Sequence, residues 1–118
     1  GGRSARISGA KVILVDGVLA GYLRRGERDV LLFAPDDGPQ RSQMIREVAR
    51  MLKHLALARE EGRRGMLVEG INGQDATAHP DARFFLAEGF AATAFGLQLR
   101  APAGSATATV DRDSTSTD

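Results

Sequence analysis

Apolar positions in the first third of the chain fall in short β-branched and aliphatic runs separated by turn residues. Residues 11–15 and 18–23 are two such runs, with Asp16-Gly17 between them. An Asp-Gly pair in that setting predicts a hairpin, because a type I′ turn needs positive φ at both central residues. A second turn is predicted at Arg25-Gly26-Glu27-Arg28, and residues 30–33 form a third run. Three strands joined by short turns make an antiparallel meander. The Pro- and Asp-rich stretch 34–39 stops the sheet, and Asp37 with Gln40 three residues on fits a capping box. From there the period changes. Met44, Ile45, Val48, Met51, Leu52 and Leu55 recur at spacings of three and four, which predicts a helix over 40–61 with one apolar stripe, ended by Gly62. Residues 66–71 predict a fourth strand closed by an Asn72-Gly73 turn. Pro80 opens a short helix through Glu88, stopped by Gly89, and residues 90–100 finish in extended structure with Leu97 and Leu99 facing the core.

Strands and helices in this order, without regular βαβ alternation, predict an α+β fold. The expected architecture is an antiparallel meander or partly closed sheet of about five strands, packed against one long and one short helix. Residues 1–9, made mostly of Gly, Ser and Arg, are expected to be a flexible linker, and residues 10–100 a single module. Residues 101–118 hold one large aliphatic side chain, Val110, and are expected to be disordered because they cannot bury enough apolar surface to offset their ordering entropy.

Composition narrows the function classes. The 118 residues suit one domain, and 42% hydrophobic with 26% charged is ordinary globular usage. The absence of cysteine excludes a disulfide scaffold, a thiolate metal site and a thiol nucleophile. No apolar run reaches the roughly 20 residues of a membrane-spanning helix, and no membrane partner is expected. No basic-then-apolar leader opens the chain, and its start at Gly1-Gly2 marks it as an expected fragment. No GxxxxGK[ST] motif is present, no GxGxxG lies between a strand and a helix, and His54 and His79 lack HExxH spacing. No cofactor or metal is therefore expected in this chain.

Charge is more informative. The tail carries a net −2, leaving 15 basic and 12 acidic side chains in residues 1–100, and seven basic against three acidic in 40–64. Arg46, Arg50 and Lys53 fall within about 60° on the first helix at 100° per residue, opposite its apolar stripe. Arg63 and Arg64 continue past its end, and Arg24, Arg25 and Arg28 cluster around the second turn. These eight are the candidate DNA-binding residues, suited to salt-sensitive contact with phosphates and not to reading bases. The competing reading is a solvated helix face laced by pairs such as Glu47 with Arg50. Three carboxylates are the weak catalytic candidates: Asp16 in the first hairpin turn, and Asp75 and Asp81 before the short helix. Their simplest roles are turn residue and helix N-terminal charge. Tyr22 and Phe95 are the aromatic side chains placed to stack on a base.

Three strings carry a family resemblance: KVILVDGVLAGYL (11–23), GMLVEGING (65–73) and FLAEGFAATAFGLQLR (85–100). In this order around one long helix, they resemble the extreme C-terminal domain of Lhr, the large helicase-related proteins of bacteria. The resemblance covers about residues 10–100. It departs at Ile71-Asn72-Gly73, where the family pattern has Val-Asp-Gly, and at Ala94-Phe95, where it has proline and a basic residue. The first difference keeps a turn, and the second removes a charge near the last strand. The resemblance implies a parent that is an ATP-dependent 3′-to-5′ DNA helicase of DNA repair, cytoplasmic and nucleoid-associated. The ATP and Mg would belong to the parent's motor domains. It also implies neighbouring winged-helix domains, homo-oligomerisation and, for some members, uracil excision from DNA. Three expectations follow. The chain is a non-catalytic accessory module contributing DNA contact, interdomain packing and self-association; or it supplies an Asp to a uracil-DNA glycosylase site; or it is a purely structural cap.

Overall fold

The computed structural model describes residues 5–7, 11–24, 26, 28–34, 38–59 and 65–100. The Asp16-Gly17 pair takes φ of 53° and 79°, the signs a type I′ turn requires, and joins β2 (Val12–Val15) to β3 (Val18–Arg24) as an antiparallel hairpin. A register shift between Ile13 and Leu14 adds a bulge to this pair. Gly26 has a φ of 67°, and the Arg28 amide donates to the Arg24 carbonyl, closing the turn into β4 (Asp29–Leu32). Ahead of the hairpin, β1 (Ala5–Ile7) pairs antiparallel with β2.

Helix α1 (Pro39–Ala58) lies on one face of this sheet, in contact with β1, β2 and β3. It buries Ile45, Val48, Ala49, Leu52 and Ala56, which share one face at helical spacing. The predicted stripe is present but turned slightly. Ala49 and Ala56 join Ile45, Val48 and Leu52 in full burial, and Met44, Met51 and Leu55 pack half-buried along one side of the stripe.

The second half of the chain joins the first through a change of sheet. β5 (Met66–Val68) and β6 (Gly70–Ile71) are separated only by Glu69. β6 runs parallel to β4, with Asp29 opposite Gly70 and Val30 opposite Ile71. The Glu69 amide donates to the Arg28 carbonyl at 2.7 Å and the Asn72 amide to the Val30 carbonyl at 2.9 Å. Asn72 extends this ladder with its side chain, whose Oδ1 accepts from the Leu32 amide at 2.8 Å. Asn72 and Gly73, with φ of 51° and 81°, then turn the chain into β7 (Gln74–Asp75). A turn of 3₁₀ helix (Ala76–Ala78) and α2 (Ala82–Ala87) lead to β8 (Ala91–Thr93) and β9 (Gly96–Leu99).

The class is α+β, with two open sheets: six strands in the order β1-β2-β3-β4-β6-β7, and three in the order β5-β9-β8. All described pairs are antiparallel except β4 with β6. One cluster of buried apolar side chains unites both sheets and both helices. Within it, Phe85 and Phe90 meet edge to face at 5.5 Å. No described helix is long and apolar enough to cross a membrane.

Several local expectations are corrected. The expected linker 1–9 contains β1. Ala5 and Ile7 alternate with Arg6, pack against the core, and cover the edge that β2 would otherwise leave unpaired. Residues 1–4 and 8–10 lie outside the described residues, as does the expected disordered tail 101–118. The N-cap of α1 is Gly38, without a side-chain cap, and Pro39 fills the first turn, where a missing N–H costs nothing. Asp37, of the expected capping box, is outside the described residues. The helix ends at Ala58, where Arg59 turns extended and donates from Nη1 to the Gly65 carbonyl at 2.8 Å. In place of about five strands there are nine among the described residues: β1 and β7 are added, 66–71 divides at Glu69, and 90–100 folds back on itself as a hairpin.

Gly96 is the residue on which that last hairpin depends. Its φ is 141°, and a Cβ there would overlap the Val68 carbonyl oxygen and lie 3.1 Å from Glu69 Cα. Gly96→Ala is expected to lower stability by about 3 kcal/mol or more, combining backbone strain with this clash. Gly17, which has open space around it, is expected to lose only about 1–2 kcal/mol on the same change. Urea midpoints of the two variants check the difference.

Candidate functional site

The three candidate carboxylates occupy three different settings. Asp16 is exposed in the β2–β3 turn. Asp75 lies in β7, three strands along the sheet from β3, roughly 14 Å away at ordinary strand spacing. The two therefore cannot share one water molecule. Asp75 Oδ1 is engaged locally, accepting from the Thr77 amide at 3.2 Å and the Thr77 hydroxyl at 3.1 Å, and so caps the 3₁₀ turn.

Asp81 differs in kind. It is 1% exposed and is the one buried charged residue among those described. It stands at the N-cap of α2, as expected, but its side chain makes no cap bond. Both oxygens face the fork of Arg41 from the first turn of α1. Nη1 donates to Oδ1 at 2.7 Å, and Nη2 donates to Oδ2. This is a bidentate guanidinium–carboxylate pair, the strongest geometry available to two such groups. The Asp81 amide donates to His79 Nδ1 at 3.0 Å. A nitrogen accepting that bond holds no proton, so the 3.7 Å approach of His79 Nδ1 to Asp81 Oδ2 is a polar contact within a turn. A carboxylate whose two oxygens are held in this way, out of water, is an anchor between α1 and α2 and not a base aimed at a substrate.

The basic candidates are largely partnered. Arg24 pairs with Asp29 and Arg28 with Glu69, each at 3.6 Å. Arg50 pairs with Glu47 one turn away at 3.1 Å, and Lys53 reaches Glu88 beyond α2 at 3.7 Å. Arg25, Arg63 and Arg64 lie outside the described residues. Arg46 differs from its neighbours. Its guanidinium lies over the Phe84 ring, 5.5 Å from the centroid, and Arg83 lies over the same ring at 4.7 Å. Between α1 and α2, Ser42, Arg46, Arg83, Phe84 and Ala87 line an open pocket of about 260 Å³. Of these, only Arg46 stands out in the sequence. A six-residue helix is too short to show a charged face, so nothing local marks Arg83, and nothing in 38–59 singles out Arg41 as the partner of a residue 40 positions away.

The candidate stacking aromatics are both on the surface. Phe95, 75% exposed, tips the β8–β9 turn, and Tyr22 lies on the six-stranded sheet. The described residues contain no group of three or more side chains suited to a metal ion.

The Arg41–Asp81 pair sets the stability of the α1–α2 junction. Arg41→Ala would leave the Asp81 carboxylate buried without its guanidinium, and is expected to cost about 3–5 kcal/mol. Arg41→Lys restores the charge but not the fork, so it is expected to recover only part of the loss. Chemical denaturation of the three proteins, compared at unchanged m-value, checks both. Comparison of the chain with protein-family models, with curated proteins and with solved structures finds no match.

Proposed function

We propose that this chain is a non-catalytic accessory module of a large DNA-repair helicase resembling Lhr, working chiefly by packing against neighbouring domains. The observation that carries the packing role is the face of the six-stranded sheet turned away from α1. Strand register sets Val12, Tyr22 and Leu31 side by side in one row, and Leu14 beside Leu19 in the next. Residues directly opposite across strands share a face. Tyr22 and Leu19 are exposed, Val12, Leu14 and Leu31 are half-buried, and Phe33, two positions beyond Leu31, is 47% exposed. A contiguous apolar area of this kind is characteristic of a surface that meets another protein layer.

A second contribution is phosphate contact, favoured by Arg46, which has no acidic partner among the described residues. The other described basic candidates stand beside carboxylates, and a phosphate would have to displace those carboxylates. The glycosylase alternative is weaker, because Arg41 holds Asp81 and Thr77 engages Asp75.

Two measurements test these roles. Leu19→Asp with Phe33→Asp is expected to alter the unfolding free energy from urea denaturation by no more than about 1 kcal/mol, roughly 0.5 for each exposed position. The same change is expected to weaken association with the remainder of the parent helicase, supplied as a separate polypeptide, by about tenfold or more. Undiminished association would sink the packing role. For DNA, the full chain is titrated with fluorescent duplex between about 50 and 200 mM salt. Arg50→Gln with Lys53→Gln is expected to reduce the slope of log K against log salt by less than about one, because both side chains are already paired. A reduction of about two would mean that the whole helix face lies on DNA.

A further inference from the structure

Arg46 and Arg83 come from different helices, yet both guanidiniums settle on one ring. With centroid distances of 5.5 and 4.7 Å, their central carbons lie within about 10 Å of each other. Each is attracted by the ring's π face, and each is repelled by the other. Every other described arginine or lysine of α1 has a carboxylate or further partner nearby, whereas these two have no acidic partner among the described residues. Ser42, one helical turn before Arg46, lines the same pocket, and its hydroxyl makes no hydrogen bond among the described residues. The ring beneath is fixed: Phe84 is 4% exposed, and α2 is held to α1 by the buried Arg41–Asp81 fork. Three donor side chains without a hydrogen-bond or acidic partner among the described residues thus line a solvent-open pocket floored by the Phe84 ring.

We propose that this pocket is a binding site for a single phosphoryl group, held by Arg46 and Arg83 with the Ser42 hydroxyl as a third donor. The donor set selects the chemistry. A carboxylate is satisfied by one guanidinium fork, whereas a phosphoryl group presents enough acceptor oxygens for two forks and a hydroxyl converging from different sides. The pocket is open to solvent and, at about 260 Å³, has room for such a group. The source of that group is either free phosphate or one phosphate of a nucleic-acid backbone. An anion there also relieves the repulsion between the two guanidiniums. The site overlaps the phosphate-contact role above only at Arg46 and does not depend on the helicase reading.

The test uses the isotope-labelled full chain, titrated with inorganic phosphate against chloride at matched ionic strength and pH, and read from amide chemical shifts. Saturable shifts are expected at Ser42, Arg46, Arg83 and Ala87. Arg46→Gln with Arg83→Gln is expected to weaken them about tenfold or more. Ser42→Ala, which leaves the cation–π contacts in place, guards against a folding defect and is expected to weaken binding several-fold. A short oligothymidylate then separates the sources. Shifts at the same four amides, lost in the double variant, make the ligand a backbone phosphate; saturation by inorganic phosphate alone makes it free phosphate. Shifts that do not saturate, that scatter over the surface, or that persist in the folded double variant overturn the proposal. Failure here would leave the sheet-face packing role untouched, since that role is read from association of the Leu19 and Phe33 variants.

Discussion

Asp81 is a carboxylate taken out of water, and the fork of Arg41 is what offsets the cost. A buried ion pair of this sort adds little net stability over a well-packed apolar pair, but it tolerates only one arrangement. Arg41 sits in the first turn of α1 and Asp81 opens α2, so the pair sets where α2 lies along α1. Everything downstream follows from that placement. Phe84 and Phe85 reach the core, Phe85 meets Phe90, and the chain emerges aimed to form the β8–β9 hairpin on β5. A second tie acts from the sheet side. Glu69 and Gly70 bond to Arg28 at the entry to β4 and Asn72 to Val30 and Leu32 within it, so the same half of the chain is held at both ends, by an ion pair above and a parallel ladder below.

What could be read from sequence alone depended on the range of the interaction. Asp16-Gly17 and Asn72-Gly73 announce their turns because the required φ values are a property of two adjacent residues. The apolar stripe of α1 is legible because its period repeats over about three turns, and the α+β class follows from element order. β1 is not legible: three residues, Ala-Arg-Ile, carry no signal until the free edge of β2 is there to receive them. The division of 66–71 between two sheets is equally hidden, because it is imposed by the Arg28 and Val30 carbonyls, about forty residues earlier. Asp81 is legible as a helix-start residue, but not as a buried one.

The same distinction explains the electrostatics. Counting side chains locates a basic helix but does not say which charges are already answered. Glu47 and Arg50 are three residues apart and could be paired from sequence. Glu88 and Glu69 find Lys53 and Arg28 only after the chain has folded. Once those pairs are made, Arg46 is the one described DNA-binding candidate left without a carboxylate, and the folded chain brings Arg83 beside it over Phe84. Over the same steps, the alternation in β2, β3 and β4 places apolar side chains on both faces of the sheet, while α1 covers only one. Folding thus reduces the charged surface and leaves an apolar one.

These two surfaces do not compete for space. α1 covers the inner face of the six-stranded sheet, so the pocket between α1 and α2 opens on the helical side, and Leu19, Tyr22 and Phe33 face the other way. A neighbouring domain seated on the sheet would leave Arg46, Arg83 and Ser42 accessible, and a phosphoryl group in the pocket would not disturb that seat. The core between the two surfaces is continuous, and the Arg41–Asp81 fork lies on the helical side of it. Loosening the fork would therefore disorder the pocket before the sheet face, because the strands keep their own ladder when α2 shifts. The layered arrangement separates the two proposed surfaces physically, so substitutions on one side can be interpreted without correction for the other.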